Sequence, residues 1–262
     1  MRGSTHITEK RGSMNGPRTL ILDIETSPNL GYVWSLFNQN VHLNQLVEAS
    51  RVMCFAAKWH GEEKMMFWSE FHHGHDKMLD RAYALVDEAD IVVHYNGQKF
   101  DMRHLNREWW LAGKSPPSPI QQVDLLKVVR KIFYLPSNKL DYVASLEGEG
   151  KLDHGGFELW LKCLLGDPKA WALMRKYCKQ DVLITEHRYD SIRPWIPNHP
   201  HMGLYSTDAS IPRCANCGSE NLQKRGFFYT SLAKYQRYRC MNCGHWSREG
   251  KAESRVDVRG AN

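Results

Sequence analysis

The segment Thr19-Leu20-Ile21-Leu22-Asp23-Ile24-Glu25-Thr26 constrains the fold of this 262-residue chain more than any other stretch. It is apolar and rich in β-branched residues, and Ser27-Pro28 closes it, so it reads as a buried strand ending in a turn. Asp23 and Glu25 stand at i and i+2 of that strand, on one face and roughly 6.5–7 Å apart along it. Two carboxylates on one face of a buried strand repel each other and lose hydration, a costly arrangement unless a cation neutralises them. The tripeptide alone leaves a second reading open, an edge strand whose acids point to water.

Beyond this segment, strands and helices alternate. Val52 to Trp59 and Lys64 to Trp68 read as strands joined by His60-Gly61-Glu62-Glu63. Residues 76–89 carry apolar side chains at helical spacing, and Ile91 to Tyr95 reads as a fourth strand. Helices are expected over 99–111, over Leu125 to Phe133 with Asp124 as cap, over Ser137 to Leu146 with a serine cap, and over 169–191. This order predicts a mixed sheet with helices packed around it.

Two further segments place acids beside elements of this pattern. Asn96-Gly97-Gln98-Lys99-Phe100-Asp101 comes directly after the fourth strand, and its Asn-Gly turn delivers Asp101 to the sheet end, where sites of α/β proteins gather. Asp101 also suits a helix N-terminus on electrostatic grounds alone. In Tyr177-Cys178-Lys179-Gln180-Asp181 the phenol and the carboxylate lie at i and i+4, on one face of the long helix. An ordinary amphipathic helix with a tyrosine at its core margin has the same spacing.

Taken together, Asp23-Ile24-Glu25, the segment from Asn96 to Asp101, and the pair Tyr177 and Asp181 resemble the three motifs of the DEDD exonucleases, tyrosine subtype. Ser137 to Ala144, with Lys151 beyond it, is similar to the proofreading domain of family B DNA polymerases, and stand-alone exonucleases of this kind occur in phages. The resemblance covers roughly residues 18–193. It implies an RNase H-like fold, a five-stranded mixed sheet flanked by helices, and two Mg²⁺ or Mn²⁺ ions about 3.5–4 Å apart. It further implies that Asp23 bridges both ions, that Glu25 and Asp181 bind the first, and that Asp101 holds the second, partly through water. Tyr177 is then expected to orient the attacking water rather than remove its proton, since a free phenol has a pKa near 10. Asn96 and Phe100 are expected at the pocket for the terminal nucleotide, with Phe100 either against a base or in the core.

The last fifth of the chain has a different chemistry. Residues 1–208 hold 25 Lys and Arg against 25 Asp and Glu, whereas residues 209–262 hold 10 against 4, so the net charge of +6 sits entirely there. A neutral body with a basic appendage suggests a polyanion partner for the appendage, although a solubilising tail has the same composition. Cys214-Ala215-Asn216-Cys217-Gly218 and Cys240-Met241-Asn242-Cys243-Gly244 form two CxxCG knuckles, whose four thiolates suit one structural Zn²⁺. Cys54, Cys163 and Cys178 stand singly in apolar surroundings and read as buried thiols. Gln223 to Thr230 and Lys234 to Cys240 read as a hairpin between the knuckles, and the whole resembles the zinc ribbon of transposases and transcription proteins. Lys224, Arg225, Arg237 and Arg239 are expected to contact phosphates, with interleaved aromatic residues stacking on bases and about half of those aromatics forming the module's own core. His72, His73 and His75 lie in a loop before a helix and are not expected to bind metal.

The expected organisation is a flexible leader over 1–17, an exonuclease domain over 18–197, a linker over 198–208, a zinc ribbon over 209–248 and a flexible basic tail over 249–262. No apolar run approaches the roughly 18 residues of a membrane span, and the N-terminus has no apolar signal core, so a cytoplasmic protein is expected, in the host if phage-encoded. No polymerase palm or fingers sequence comes after the exonuclease motifs, which favours action in trans, with replication or recombination proteins as candidate partners. The expected activity is 3′→5′ hydrolysis of single-stranded or frayed nucleic acid, DNA favoured over RNA, to nucleoside monophosphates. A structure-specific endonuclease and a catalytically silent nucleic-acid binder are the competing readings.

Overall fold

A computed structural model describes residues 16–150, 152–208 and 210–260. Most of the expected leader, together with Lys151, lies outside the described residues. The chain divides into two compact units, Arg18–Tyr189 and the residues from Asp190 onward.

The first unit is built on a five-stranded sheet. Its strands are β1 (Thr19–Thr26), β4 (Val52–Trp59), β5 (Met65–Ser69), β6 (Ile91–His94) and β7 (Gln121–Asp124), in the order β5-β4-β1-β6-β7. β4 and β5 run antiparallel to their neighbours, whereas β1, β6 and β7 are mutually parallel, so the sheet is mixed as expected. β7 escaped the sequence pattern because only Val123 and Asp124 of its four residues are buried. Between β1 and β4 the chain makes a small hairpin of β2 (Leu30–Gly31) and β3 (Leu46–Glu48).

The two faces of β1 have different partners. Leu20, Leu22 and Ile24 pack with Met78, Leu79, Ala82, Leu85 and Val86 of α2 (His75–Glu88) and with Met102, Leu105 and Trp109 of α3 (Asp101–Leu111). The alternate residues, Asp23 among them, face α7 (Pro168–Ile192), whose Cys178 thiol approaches Asp23. α7 is held in register by buried charge. Glu186 takes the Lys58 ammonium and the Gly61 amide, the latter at 3.0 Å, while buried Arg188 reaches Glu147 at 2.9 Å and Glu149 at 3.2 Å. The remaining helices are α1 (Glu70–His73), α4 (Leu125–Ile132), α5 (Leu140–Ser145) and α6 (Phe157–Leu164). Asp124 caps α4 through the Leu126 amide, as expected. Ser137 does not cap α5: that helix starts three residues later, and the Ser137 hydroxyl accepts instead from the Lys139 amide, a local turn that competes with helix. Among the described residues no helix is long and apolar enough to cross a membrane.

The second unit is a small antiparallel sheet centred on β9 (Ala233–Cys240). β8 (Leu222–Tyr229) flanks one edge, and β10 (Trp246–Arg248) and β11 (Ser254–Arg255) share the other. β11 lies in the segment read as a flexible tail. The free edge of β9 beyond β10 offers unpaired backbone groups, and Glu253 and Val256 donate to Lys234 and Leu232 there. The expected linker is also structured, since Met202 opens a 3-10 turn and donates to Ala215 of the first knuckle at 2.8 Å.

Candidate active site

Strand alternation puts Asp23 and Glu25 on the face of β1 that meets α7, and the helical repeat puts Tyr177, Cys178 and Asp181 on the answering surface. The ligand atoms of Asp23, Glu25 and Asp181 consequently lie within 4.8 Å of one another. Asp181 is buried, while Asp23 and Glu25 are partly exposed, so the cluster opens to solvent on the strand side. Tyr177 is buried too, and its hydroxyl is hydrogen-bonded to Asp181. Burial first, and then the charges of Asp181, Glu25 and Asp23, push the Tyr177 ionisation up. With no cation beside these carboxylates, the phenol keeps its proton.

Asp101 stands outside this group of three ligands. It opens α3, and its carboxylate accepts from the amide of Ile24, the residue between the two acids of β1, at 3.1 Å. Burial raises Asp101 to about 7 against the opposing pull of the backbone amides around it. The Asn-Gly turn that delivers it works by two different backbone demands. Asn96 takes a left-handed φ of 70°, while a Cβ on Gly97 would fall 2.4 Å from the buried His94 ring. Asp124 fixes the same loop from the neighbouring strand, accepting from Asn96 at 3.0 Å and Gln98 at 3.3 Å as well as capping α4. Phe100 is exposed and rests on His104, ring centroids 4.6 Å apart, which removes it from the core.

Several neighbours were not identified as site residues from sequence. Cys178 lies beneath Asp23, its sulfur 3.8 Å from the backbone oxygen and 3.9 Å from Oδ2, and Cys54, which pairs with Glu25 in the register of β1 and β4, is its thiol neighbour. Burial pushes both thiols up, so they act as small neutral packing groups. His154 and Trp160 lean on the Tyr177 ring at 4.5 and 5.9 Å. The position of Cys178 inside the Tyr177–Asp181 turn is the one signal that pointed this way. Of the histidine cluster, His72 bonds the Ser69 hydroxyl at 2.6 Å, and His75 stands 3.6 Å from both Glu70 and Glu108.

The second ligand group is Cys214, Cys217, Cys240 and Cys243. Gly218 and Gly244 take φ of 73° and 78°, and their amides close the knuckles onto the Cys214 and Cys240 carbonyls at 2.9 and 3.0 Å. The sulfurs of Cys214 and Cys243 are 3.7 Å apart and those of Cys217 and Cys240 are 3.6 Å apart. A tetrahedron with metal–sulfur bonds of about 2.3 Å has edges of about 3.8 Å, close to both. Burial pushes the Cys240 thiol up, but the knuckle amides of Cys243 and Asn242 and its thiol neighbours outweigh it and bring it to about 7.

Lys224 and Arg225 lie exposed on β8, and Arg237 and Arg239 lie on β9. Lys234 sits 3.7 Å over Phe227, Arg248 4.0 Å over Tyr235, and Arg237 4.6 Å over Trp246. No aromatic residue of this sheet is fully buried: Phe227, Tyr235 and Tyr238 are half-buried, and Phe228, Tyr229 and Trp246 are exposed. The expectation that half of them form a core is corrected to that extent, because among the described residues of this unit no helix covers the sheet.

Comparison with known proteins agrees with this architecture. No curated protein sequence matches the chain significantly. Among solved structures, the family B DNA polymerase of the hyperthermophilic archaeon Pyrobaculum calidifontis aligns over 68% of this chain with a TM-score of 0.52 and 19% identity. At that identity the likeness concerns the fold, and the chain spans 25% of the polymerase's length. Residues 20–193, which contain the sheet, both carboxylate strand positions and all of the Tyr177–Asp181 turn, match the RNase_H superfamily, and the chain belongs to that superfamily.

Proposed function

We propose that this protein is a metal-dependent 3′→5′ exonuclease of the DEDD tyrosine subtype, acting on single-stranded or frayed nucleic acid, DNA favoured, and releasing nucleoside monophosphates. The observation that carries the reading is the convergence of Asp23, Glu25 and Asp181 within 4.8 Å, with Tyr177 bonded to Asp181. An all-oxygen set bearing up to three negative charges in a partly buried cleft fits hard divalent cations such as Mg²⁺ or Mn²⁺. Asp101 fits the same chemistry, because a nearby cation would offset the burial that raises it to about 7. When bound, the ions supply Lewis acidity and a nucleophile at neutral pH. Asp23, Glu25, Asp181 and Asp101 would hold them, and Asp101 also fixes the strand that carries the first two. Tyr177, kept protonated, orients the attacking water. Asn96 and Phe100 border the terminal nucleotide.

We assign the Cys214, Cys217, Cys240 and Cys243 set to one structural Zn²⁺, and the surrounding sheet to a zinc ribbon that binds nucleic acid through Lys224, Arg225, Arg237, Arg239 and the aromatic rings between them. The near-tetrahedral sulfur edges support the metal. The cation–aromatic pairs support the ligand.

DNA and RNA oligonucleotides labelled at the 3′ or the 5′ end, incubated with Mg²⁺ or Mn²⁺, test the reading. Immediate release of labelled mononucleotide from the 3′ end, a ladder from the 5′ label, and arrest by EDTA are expected. Internal fragments as first products would replace it with an endonuclease, and no hydrolysis under either metal would leave a binding protein.

A further inference from the structure

From Thr26 to Val47 the chain contains no Asp, Glu, Lys or Arg. This segment leaves β1 directly after Glu25, and most of its large side chains are in solvent. Trp34 is 94% exposed, Phe37 80% and Tyr32 78%, and Leu36 and Leu43 are exposed to similar degrees. So much apolar surface on one short segment marks an interaction site.

The segment is built rather than slack. Ser27 and Arg51 exchange hydrogen bonds at its base, the Ser27 amide to the Arg51 carbonyl at 2.8 Å and the Arg51 amide to the Ser27 hydroxyl at 2.9 Å. Asn29 accepts from the Ser50 amide at 2.7 Å, and Gln45 bonds both backbone groups of Tyr32, each at 2.9 Å. Gly31 is needed where the two sides meet, since a Cβ there would lie 2.9 Å from the Gln45 carbonyl oxygen. A second stapled turn runs through the Ser35 hydroxyl and Phe37. The aromatic rings are thus displayed on a pre-ordered arm.

We infer that this arm binds the unpaired bases of the strand whose end lies at Asp23, Glu25 and Asp181, with Tyr32, Trp34 and Phe37 stacking on them. Three features select bases as the occupant. The arm is covalently continuous with the carboxylate strand, so its base lies directly beside the site that would hold the strand's end. It has no Asp or Glu to repel a polyanion and no Lys or Arg to grip a phosphate, which favours the nucleobase as the part it contacts. Its polar groups are mainly amides (Asn29, Asn38, Gln39, Asn40, Asn44 and Gln45), which can donate to and accept from base edges. The inference rests on the nuclease reading for its substrate, but its test does not depend on hydrolysis.

The test measures binding of fluorescent oligothymidylate by anisotropy in EDTA, at two salt concentrations, for the native protein and for the double variant Trp34→Ser plus Phe37→Ser. Both side chains are in solvent, so the fold is expected to survive. Affinity should fall about tenfold for each ring removed, while the dependence of log K on log salt keeps its slope because no phosphate contact is lost. An abasic phosphodiester of the same length should bind both proteins equally. The p-nitrophenyl ester of thymidine 5′-monophosphate, too small to reach the arm, should be hydrolysed at the native rate by the variant. Equal affinity of both proteins for oligothymidylate overturns the inference. So does self-association of the native protein that the variant abolishes, which would give the arm to a second copy. Native protein that binds through the arm yet hydrolyses neither ester nor strand leaves the arm standing and retires the nuclease.

Discussion

At the scale of single residues, the same three carboxylates that would hold cations also decide what Tyr177 can do. Their charge adds to burial in keeping the phenol protonated, and the hydrogen bond to Asp181 orients it. The protonated phenol is suited to donate. Tyr177→Phe is therefore expected to slow turnover by about 10²-fold with little change in KM, measured on a labelled oligonucleotide at saturating Mg²⁺. A native rate would reduce the hydroxyl to packing. Asp181→Asn and Asp23→Ala should abolish metal-dependent hydrolysis while the far-ultraviolet circular dichroism is preserved, since both remove charge from a cluster that repels itself without metal. Residual activity near native in either variant would sink the ligand assignment.

At the scale of elements, the loop between β6 and α3 is the least tolerant part of the site. Asn96 turns the chain, Gly97 lets it pass over His94, and Asp124 ties down the amides of Asn96 and Gln98 from β7. Gly97→Ala forces a methyl into a buried ring and should cost roughly 1–3 kcal/mol, read from the urea midpoint. It should also lower activity by moving Asp101 off Ile24. Unchanged stability would mean that the His94 ring yields. The residues that sequence reading attached to this loop were local, whereas Asp124, which organises it, lies on a strand with no clear apolar pattern. Its helix-capping role was legible from the helical pattern after it. Its hold on Asn96 and Gln98 depends on β6 and β7 being paired.

At the scale of the whole molecule, the two units rest on different kinds of stability. Arg18–Tyr189 has a continuous apolar core between sheet and helices. The described residues from Asp190 onward have few buried side chains, among them Ile192, Ile196, Pro200, Cys214, Asn216 and Cys240, so a metal held by the four cysteines would supply much of the folding free energy. Purified protein should contain one zinc per chain by atomic absorption. Chelation should expose the sheet of β8 to β11 to proteolysis and leave Arg18–Tyr189 resistant. Restoring Mg²⁺ alone should then recover hydrolysis of a short substrate but not tight binding of a long strand. Protease resistance of the zinc-free sheet would show that its fold does not need the metal.

The sequence by itself determined the features that short-range pattern encodes. The alternation of β1 put Asp23 and Glu25 on one face, the helical repeat paired Tyr177 with Asp181, and glycine after each CxxC marked the knuckles. These features depend on backbone geometry over a few residues. Tertiary structure decided everything that depends on residues distant in the chain. It set the thiols of Cys54 and Cys178 under the acids, took Phe100 out of the core, and added β11 to an edge that needed partners. It also left the large side chains of the arm between Ser27 and Arg51 in solvent. An apolar segment reads as buried until the sheet and helices have satisfied one another, and only their completed packing shows which apolar side chains have been left outside.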